Sequence, residues 1–539
     1  MNKHRRHILI TGGVATAAAA LGLPPVRAGE RSGDRAQIDV HIELRATEDR
    51  VAIRPGDPTR VWRYQGKLLR GDTSALEASA GAYLGPIIRV RRGQRVRIDL
   101  INGLPESTII HWHGLHVPEA MDGHPRFAIG PGERYVYEFT IVNRAGSYWF
   151  HPHPHGRTGK QVYFGLAGLF LVSDDEEDAL GLPTGAQDLP LVIQDRSFDD
   201  DNQLVYLSGS LAAAATKGSG RRGMMGGGMM GRGMGGMGRM MDGMIGMFGD
   251  QILVNGRPDA SLELAPRPYR LRLLNASNSR IYKLAWADRS PLTVIGTDGG
   301  LLGAPLQRDH VMLAPAERLD LWVDFGRWPV GTELVLHSLA FDSGMGGMMG
   351  GMMGEAALPD GAPFPVLTAR VRGGAKGPAE PLPRRLSVLP AADPSAAVNV
   401  GRPKIFEITM GMMKWGINGR SFDMLGTTVL ETVKLGTQEI WEFRNDGGSG
   451  MMGMTMAHAM HVHGLQFRVL GRSFGAREGS HPESAGIVDE GWKDIVLVMP
   501  QERVRILVRF ADYPGLFLYH CHMLEHEDSG LMRNYRVVA

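Results

Sequence analysis

Histidines occur in four closely spaced pairs in this chain of 539 residues. Neighbouring side chains of a β-strand point to opposite faces, so a His-x-His pair places two imidazoles on one face, about 7 Å apart. One such pair is more often a surface or packing feature than a ligand pair. Four pairs, with HWHGL echoed by HVHGL, instead predict a shared metal cluster. The pairs are His111 and His113, His151 and His153, His461 and His463, and His520 and His522.

The only cysteine, Cys521, lies between His520 and His522. On a strand its side chain faces the opposite side from the two imidazoles. There it can meet His526, a few residues further on, and His458, just upstream of the third pair. Imidazoles alone suit Cu, Zn, Fe and Ni, but one thiolate with two imidazoles in a trigonal arrangement indicates a blue-copper electron-transfer site. The sequence therefore predicts two copper environments that are joined through Cys521 and its neighbours.

The strands that must position these residues are predicted from alternating patterns. ERYVYEF from Glu133, ERLDLWVDF from Glu317 and ERVRILVRF from Glu502 each begin with Glu-Arg and then alternate apolar and polar residues. A period of two with β-branched and aromatic residues is typical of half-buried strands, and long amphipathic helical patterns are scarce. The sequence therefore predicts an all-β chain.

The spacing of these repeats divides the chain into three β-sandwich domains, at residues 37–175, 189–372 and 399–539. Two histidine pairs belong to the first domain and two to the third. We therefore expect the eight imidazoles to converge where the first and third domains meet.

Composition and charge limit the classes of function. An apolar content of 43% with 22% charged residues fits a soluble protein with substantial cores. The 59 Lys and Arg nearly balance the 57 Asp and Glu, and no long basic run occurs, so nucleic acid is not an expected partner.

The first residues are predicted to be a targeting signal rather than part of a folded domain. Arg5 and Arg6 precede a short apolar run, and a small-residue cleavage point lies near Ala28, which together indicate a twin-arginine export signal over 1–28. The alternative is a ragged N-terminus that contains two arginines by chance. We expect a periplasmic or exported protein with no membrane span in its mature form, because the apolar run is short and broken by glycine.

HWHG, WFHPH, HAMHVHG and HCHMLEH resemble the four copper motifs of the multicopper oxidases, and the likeness covers essentially the whole chain after the signal. Within that family the chain looks most like the bacterial periplasmic copper-efflux (cuprous) oxidases, which are laccase-like, through segments such as LRLLNASNSR and INGRSFDM. The resemblance implies three cupredoxin-like Greek-key domains. It also implies four copper ions: one type 1, one type 2 and a type 3 pair.

The resemblance further implies a set of ligands for each copper. His111 and His461 would hold type 2 copper. The type 3 pair would be held by His113, His151, His153, His463, His520 and His522, and type 1 copper by His458, Cys521 and His526. Asp122 and Glu527 match positions that feed protons to the cluster in this family, although without the resemblance either would be read as an ordinary solvated carboxylate.

The axial position of the type 1 site departs from a common pattern. Ten residues after the cysteine the family often places an axial methionine, and here that position is Leu531, with Met532 next. A regular strand would leave Leu531 at the axial position and turn Met532 away. A one-residue bulge could instead bring Met532 in.

Methionine is the most unusual component of the sequence, with 30 in total. Many lie in two Met/Gly-rich insertions of the second domain, at 221–249 and 343–354. Thioethers are soft ligands that select Cu(I), although a flexible glycine-rich linker is the alternative reading. Met456 matches a methionine that binds substrate copper in the resembling oxidases, and Met454 stands where they often have an acid. Because the insertions lie in the second domain, the sequence leaves open whether they cover the type 1 site.

The predicted function is one-electron oxidation of a reductant, first Cu(I) in copper tolerance and second a phenol, coupled to four-electron reduction of dioxygen to water. A copper-sequestering protein would not need eight cluster histidines. A scaffold or cell-division relative without copper would show broken motifs, and a copper nitrite reductase would usually have two domains. We expect a monomer.

Overall fold

The computed structural model describes residues 37–79, 82–207, 245–344, 358–374, 381–411, 414–446, 456–475, 477–478 and 481–539. The predicted export signal, Met454 and most of the two Met/Gly-rich insertions lie outside these residues. Residues Ile38–Ala539 form one compact unit.

The strands fall into three stretches of the chain. The first stretch, β1 to β9 (residues 40–173), forms two sheets, in the orders β2-β1-β5-β7 and β3-β4-β9-β8-β6. Their bounds are β1 (Val40–Val51), β2 (Thr59–Arg70), β3 (Leu76–Glu77), β4 (Ile87–Arg91), β5 (Arg95–Asn102), β6 (Ile110–His113), β7 (Arg134–Thr140), β8 (Gly146–Pro152) and β9 (Gly168–Ser173). Apolar residues at every second position of β1, from Val40 to Ala46, enter the core between the sheets.

The second stretch also forms two sheets, in the orders β12-β11-β10-β14-β19-β16-β17 and β13-β21-β20-β15-β18. Their bounds are β10 (Asp188–Arg196), β11 (Gln251–Val254), β12 (Arg257–Pro258), β13 (Ser261–Leu264), β14 (Pro268–Asn275), β15 (Tyr282–Trp286), β16 (Leu292–Thr297), β17 (Gly300–Arg308), β18 (Val311–Leu313), β19 (Arg318–Asp324), β20 (Glu333–Ser338) and β21 (Phe364–Val371).

The third stretch repeats the arrangement, in the orders β23-β22-β25-β30-β27-β28 and β24-β32-β31-β26-β29. Their bounds are β22 (Lys404–Gly411), β23 (Lys414–Ile417), β24 (Thr432–Lys434), β25 (Gln438–Arg444), β26 (His458–Val462), β27 (Phe467–Phe474), β28 (Arg477–Glu478), β29 (Ile495–Val498), β30 (Glu502–Arg509), β31 (Gly515–Cys521) and β32 (Met532–Val538). The described helices are short: α1 (Thr158–Tyr163), α2 (Asp175–Asp178) and α3 (Leu524–Asp528).

Each of the six sheets contains a parallel strand pair beside its antiparallel pairs: β1 with β5, β4 with β9, β10 with β14, β13 with β21, β22 with β25, and β24 with β32. Parallel neighbours need a long connection, and here the connecting chain passes through the other sheet of the same stretch. The prediction of an all-β chain is confirmed. The exact domain boundaries stay a prediction.

The three Glu-Arg segments form β7, β19 and β30, as predicted. In β19, however, the expectation of a half-buried strand is wrong, because five of its seven residues are buried and none is exposed. β19 lies between β14 and β16 in the interior of its sheet; its Asp320 pairs with Arg270 of the neighbouring β14, and its Arg318 pairs with Asp494 of the third stretch. Within the described residues, no helix is long and apolar enough to cross a membrane.

Strand pairing places the histidine pairs beside each other. β6 pairs with β8 so that His111 lies opposite His151, and β26 pairs with β31 so that His461 lies opposite His520. Directly opposed residues have their Cβ atoms about 4.5–5.5 Å apart on the same face. Each of the two stretches therefore contributes a compact group of four imidazoles.

Candidate metal centres

The structure brings the eight paired histidines together in one buried cluster. Their ligand nitrogens lie within 4.8 Å of one another in three overlapping groups: His111, His113 and His151; His111, His461 and His463; and His153, His463 and His520. His522 joins them through its Nε2, which lies 3.3 Å from Nε2 of His151. The first and third stretches thus meet at the cluster.

Two aspartates hold the cluster histidines in a nearly symmetric way. Asp122 accepts hydrogen bonds from Nδ1 of His111 at its carbonyl (2.7 Å) and from Nδ1 of His463 at its carboxylate (2.9 Å). Asp494 accepts from Nδ1 of His461 at its carbonyl (2.8 Å) and from Nε2 of His113 at its carboxylate (3.1 Å). Each aspartate therefore holds one histidine of its own stretch and one of the other stretch.

Ring stacking follows the same symmetry. His111 stacks on His463 with ring centroids 3.7 Å apart, and His113 stacks on His461 at 3.8 Å. The echoed motifs HWHG and HVHG are thus related by an approximate two-fold arrangement in space, as expected when two repeats face each other.

The hydrogen bonds identify which nitrogen each imidazole offers to a metal. Nδ1 of His111 and of His461 donates to a carbonyl, which leaves an Nε2 lone pair on each ring. These two Nε2 atoms lie 3.3 Å apart, and neither has a proton to share. A cation that binds both nitrogens satisfies them, so the donor set fits a metal. His113 is oriented the other way, because its Nε2 contacts the carboxylate of Asp494. The Nδ1 of His113 is buried and has no hydrogen-bond partner among the described residues.

Burial favours the neutral form of several cluster histidines, which is the form that binds metal. Burial and the neighbouring imidazoles lower the pKa of His111, His461 and His463 well below the usual range. Burial also raises the pKa of Asp122 well above its usual range, with a smaller effect from Glu119.

Glu527 contacts the other side of the cluster. Its carboxylate lies 3.1 Å from Nδ1 of His520 and 3.5 Å from Nε2 of His153. Burial by itself would raise the pKa of Glu527, but these two imidazoles lower it to about 2. The two carboxylates that the sequence singled out therefore both touch cluster histidines, and their environments shift their pKa values in opposite directions.

The cysteine forms a second group on the opposite face of β31. Sγ of Cys521 lies 3.6 Å from Nδ1 of His458 and 3.7 Å from Nδ1 of His526, and all three side chains are buried. Burial raises the pKa of the Cys521 thiol to about 12, so a bound cation is needed to keep it as the thiolate. One thiolate and two imidazoles are the donor set of a blue-copper site.

The surroundings of the cysteine limit access to it. The amide of Met523 donates to Sγ at 3.5 Å, and the ring of Trp415 lies 4.8 Å from the rings of both His458 and His526. Leu531 is fully buried in the same core. Two methionines upstream of His458 were singled out in the sequence, and of these Met456 lies within the described residues. Its side chain is also buried.

Sequence reasoning missed Asp494 and the residue that orients it, Arg318. The Arg318 guanidinium donates two hydrogen bonds to the Asp494 carboxylate, at 2.7 and 2.5 Å, and both residues are fully buried. Beside them Lys493 pairs with Asp298 at 3.0 Å and with Glu317. Glu317 and Arg318 form the Glu-Arg pair that begins the segment ERLDLWVDF. The pair was visible in the sequence, but the alternation of that segment indicated only a strand.

The chain was compared with protein families, curated proteins and solved structures. Profiles described as multicopper oxidase match residues 62–177 and 397–539. A laccase of Bacillus stratosphericus is 30% identical over 89% of this chain and 91% of its own length. Two solved structures are similar: the multicopper oxidase McoA of Aquifex aeolicus (34% identity, TM-score 0.72, 93% of this chain and 96% of that one) and a multicopper oxidase of Campylobacter jejuni described as a metallo-oxidase (25% identity, TM-score 0.70, 92% and 91%).

A relative with a different kind of name matches at similar identity. The cell division protein FtsP of Shigella dysenteriae is 31% identical over 98% of both chains. Overall similarity therefore does not by itself separate a relative named as an oxidase from one named for cell division. In this chain all eleven predicted histidine and cysteine donors lie in the two buried groups, as copper binding requires.

The chain belongs to the multicopper oxidases, and its fold is cupredoxin-like. It is an oxidoreductase that uses type 1, type 2 and type 3 copper with dioxygen and a reducing substrate. The family, fold class and cofactors predicted from the sequence are thereby confirmed.

Proposed function

We propose that this multicopper oxidase is a cuprous oxidase, which oxidises Cu(I) to Cu(II) in copper tolerance and reduces dioxygen to water. The observation that carries the proposal is the methionine content, 30 residues that are concentrated in Met/Gly-rich segments. Thioethers bind Cu(I) in preference to harder ions, and methionine is a poor choice for a merely soluble loop. The similarity to a structure described as a metallo-oxidase supports the same substrate class.

We assign the ligands as the resemblance implied, and the geometry supports the assignment. His458, Cys521 and His526 would hold type 1 copper, and His111 with His461, which face each other through Nε2, would hold type 2 copper. The type 3 pair would be held by His113, His151, His153, His463, His520 and His522. When bound, the coppers accept electrons singly from the reductant and supply four of them to dioxygen.

The protein itself orients the histidines, keeps water from the buried cluster and supplies protons to it. Nδ1 of His111 and Nδ1 of His461 donate to carbonyl oxygens, so their rings cannot rotate away from the cluster. We propose that Asp122 holds a proton at its carboxyl group beside His463, because burial favours the neutral acid. Glu527, ionised beside His153 and His520, is placed to receive protons for the cluster.

We propose that Leu531, rather than Met532, occupies the axial position of the type 1 site. β31 and β32 pair in regular register, with His520 opposite Met532, and the amide of Cys521 donates to the carbonyl of Leu531 at 3.0 Å. Opposed residues share a face, so Met532 lies on the His520 face and Leu531 on the Cys521 face. A residue that cannot coordinate favours Cu(I) and a high potential.

A laccase-like phenol oxidase is the second candidate, because the laccase of Bacillus stratosphericus is among the similar proteins. Close packing around the type 1 group argues against bulky phenols, since the ring of Trp415 packs against both His458 and His526 and all three residues are buried. A copper-sequestering protein is a weaker alternative, because it needs no buried cluster of eight imidazoles. Fewer than four coppers per chain, or no oxygen uptake with Cu(I) or phenols, would reject the oxidase.

Deletion of the methionine-rich segments tests the substrate. We expect removal of 224–244 and 345–354, which spares the described residues on either side, to lower kcat/KM for Cu(I) by about tenfold or more, because the soft ligands are lost. Turnover of a bulky phenol should stay the same or rise. Oxygen uptake measures both reactions, and an unchanged Cu(I) reaction would remove the main support for the cuprous oxidase.

A further inference from the structure

The side chains of β19 alternate between the core of the second stretch and the opposite face of its sheet. The residues on that opposite face are Arg318, Asp320 and Trp322. Arg318 binds Asp494 of the third stretch, and Asp320 accepts a hydrogen bond from the hydroxyl of Ser147 in the first stretch (2.9 Å). Trp322 is half-buried and instead borders a groove of about 480 Å³. None of the residues that line this groove belongs to either donor group.

The floor of the groove is a row of three residues on neighbouring strands. Trp322 lies opposite Thr293 of β16, and Thr293 lies opposite Gln307 of β17. Directly opposed residues share a face, and strands lie about 4.8 Å apart, so the row spans about 10 Å of the sheet. Nε2 of Gln307 donates to Oγ1 of Thr293 at 2.9 Å, which fixes the amide against the floor. The floor therefore presents an indole ring beside a hydroxyl and an amide.

One wall of the groove is the start of the connection to the third stretch, residues 381–383. This segment reads Pro-Leu-Pro, and all three residues line the groove. Proline fixes its own φ and has no backbone N–H, so the wall is stiff and offers few donors. The same segment and Trp322 also border a smaller cavity of about 210 Å³. The wall thus crosses the indole and leaves space on both sides of itself.

The charged side chains that line the groove are both cations. Cζ of Arg327 lies 5.9 Å from the centroid of the Trp322 ring, and Arg384 directly follows the Pro-Leu-Pro wall. Both arginines are exposed, and neither forms an ion pair within the described part of the chain. Arg308 differs, because it leaves β17 on the other face from Gln307 and pairs with Glu490 at 2.6 Å. Two unpaired guanidiniums beside one groove attract an anion.

We propose that this groove binds an aromatic carboxylate, whose ring packs on Trp322 and whose carboxylate lies between Arg327 and Arg384. Indole favours a flat aromatic partner, and a guanidinium matches the two oxygens of a carboxylate. The sheet floor and the proline wall are already ordered, so binding costs little conformational entropy. The volume is in the range of small-molecule sites and accommodates two fused rings. The site is independent of the copper centres and of the identity of the reductant.

Calorimetric titration of the copper-loaded protein with 2-naphthoate tests the site. We expect one saturable site per chain. The neutral 2-naphthamide lacks the charge and cyclohexanecarboxylate lacks the aromatic ring, so each should bind about tenfold more weakly or worse. Equal affinity for 2-naphthoate and 2-naphthamide, or no saturable binding of 2-naphthoate, would overturn the proposal.

Two substitutions and a matched control assign the binding to the groove. Trp322→Leu should raise Kd for 2-naphthoate about tenfold, because the aromatic contact is lost. Arg384→Gln changes an exposed side chain and should raise Kd about threefold or more at low salt, with a smaller effect at high salt. The control Arg308→Gln removes an arginine from the other face of the same sheet and should leave Kd unchanged. Equal effects of Arg384→Gln and Arg308→Gln would contradict the site.

A crystal grown with 6-bromo-2-naphthoate locates the ligand directly. The anomalous signal of bromine should appear beside the Trp322 ring. A bromine signal at the copper centres alone would overturn the groove as the binding site. Because Arg384 is exposed, its variant and the bromine position decide the question even if Trp322→Leu does not fold.

Discussion

At the scale of single residues, Asp122 and Asp494 show how identical side chains take different roles. Each binds one cluster histidine with its carbonyl and one with its carboxylate. Asp494 is also clamped by the guanidinium of Arg318, whereas no cation pairs with Asp122 among the described residues. Burial raises the pKa of both carboxyl groups, but Arg318 opposes the rise at Asp494, so we interpret Asp494 as a fixed support of the cluster and Asp122 as the carboxyl group that can hold a proton.

The axial position gives a prediction for one residue. Leu531→Met should lower the reduction potential of type 1 copper, because a thioether ligand stabilises Cu(II) relative to a site without an axial ligand. Redox titration of the blue absorption measures the shift.

Met532→Leu is the matched control, since Met532 pairs with His520 on the other face of the sheet. Its potential should equal that of the native protein. A shift in the control and none in Leu531→Met would show that Met532, and not Leu531, is axial.

At the scale of elements, β19 of the second stretch supports a cluster built by the other two. Arg318→Leu removes the cation that pairs with Asp494 and leaves that buried carboxylate uncompensated. We expect a loss of about 3–5 kcal/mol in the free energy of unfolding. Denaturant titration measures it.

The control for this change is Arg370→Leu on β21, whose partner Glu333 is largely exposed. A surface pair of this kind contributes about 0–1 kcal/mol. Equal losses in the two variants would contradict a supporting role for Arg318.

A second prediction concerns the strands that carry the cysteine. The Glu431 carboxylate accepts from Arg533 of β32 at 2.7 and 2.8 Å and from the hydroxyl of Tyr519 of β31 at 2.9 Å. Burial by itself would raise the pKa of Glu431, but these donors hold it below its ordinary range. A depressed folded pKa stabilises the protein above the ordinary pKa of about 4.3, and this stability is lost as pH falls through the folded value.

Glu431→Gln should therefore cost about 1.5–3 kcal/mol at neutral pH, and the difference from the native protein should shrink below about pH 4. Unfolding by denaturant at several pH values gives that difference. Glu333→Gln, in an exposed pair, should show a small difference at every pH. A constant difference for Glu431→Gln would mean that its charge does not contribute.

At the scale of the whole molecule, the N-terminal residues predict the compartment in which the protein acts. We propose that residues 1–28 direct export through the twin-arginine route, which carries folded proteins, and that the mature chain starts near Ala28. Replacing Arg5 and Arg6 together by lysine should retain the protein in the cytoplasm of a bacterial host.

Cell fractionation measures where the variant accumulates, and mass measurement of the N-terminus determines where the chain was cleaved. The same double substitution at Arg31 and Arg35, beyond the predicted cleavage point, is the control and should leave export intact. Export of the Arg5 and Arg6 variant at the native level would reject the twin-arginine signal.

The sequence by itself determined the strands and the chemistry that they carry. Alternation with a period of two is local, so it identified β7, β19 and β30 and placed both members of each histidine pair on one face. The cysteine between His520 and His522 then had to face the other way, toward His458 and His526, where the structure places it.

The tertiary structure alone decided what surrounds those donors. Arg318 meets Asp494, and Tyr206 meets Glu525, across separations of 176 and 319 residues. No local pattern encodes such contacts, because they depend on how the sheets of different stretches pack against each other. For the same reason the sequence could predict the histidine and cysteine donors, whereas the charged residues that support them, such as Arg318 beside Asp494, follow only from the packed fold.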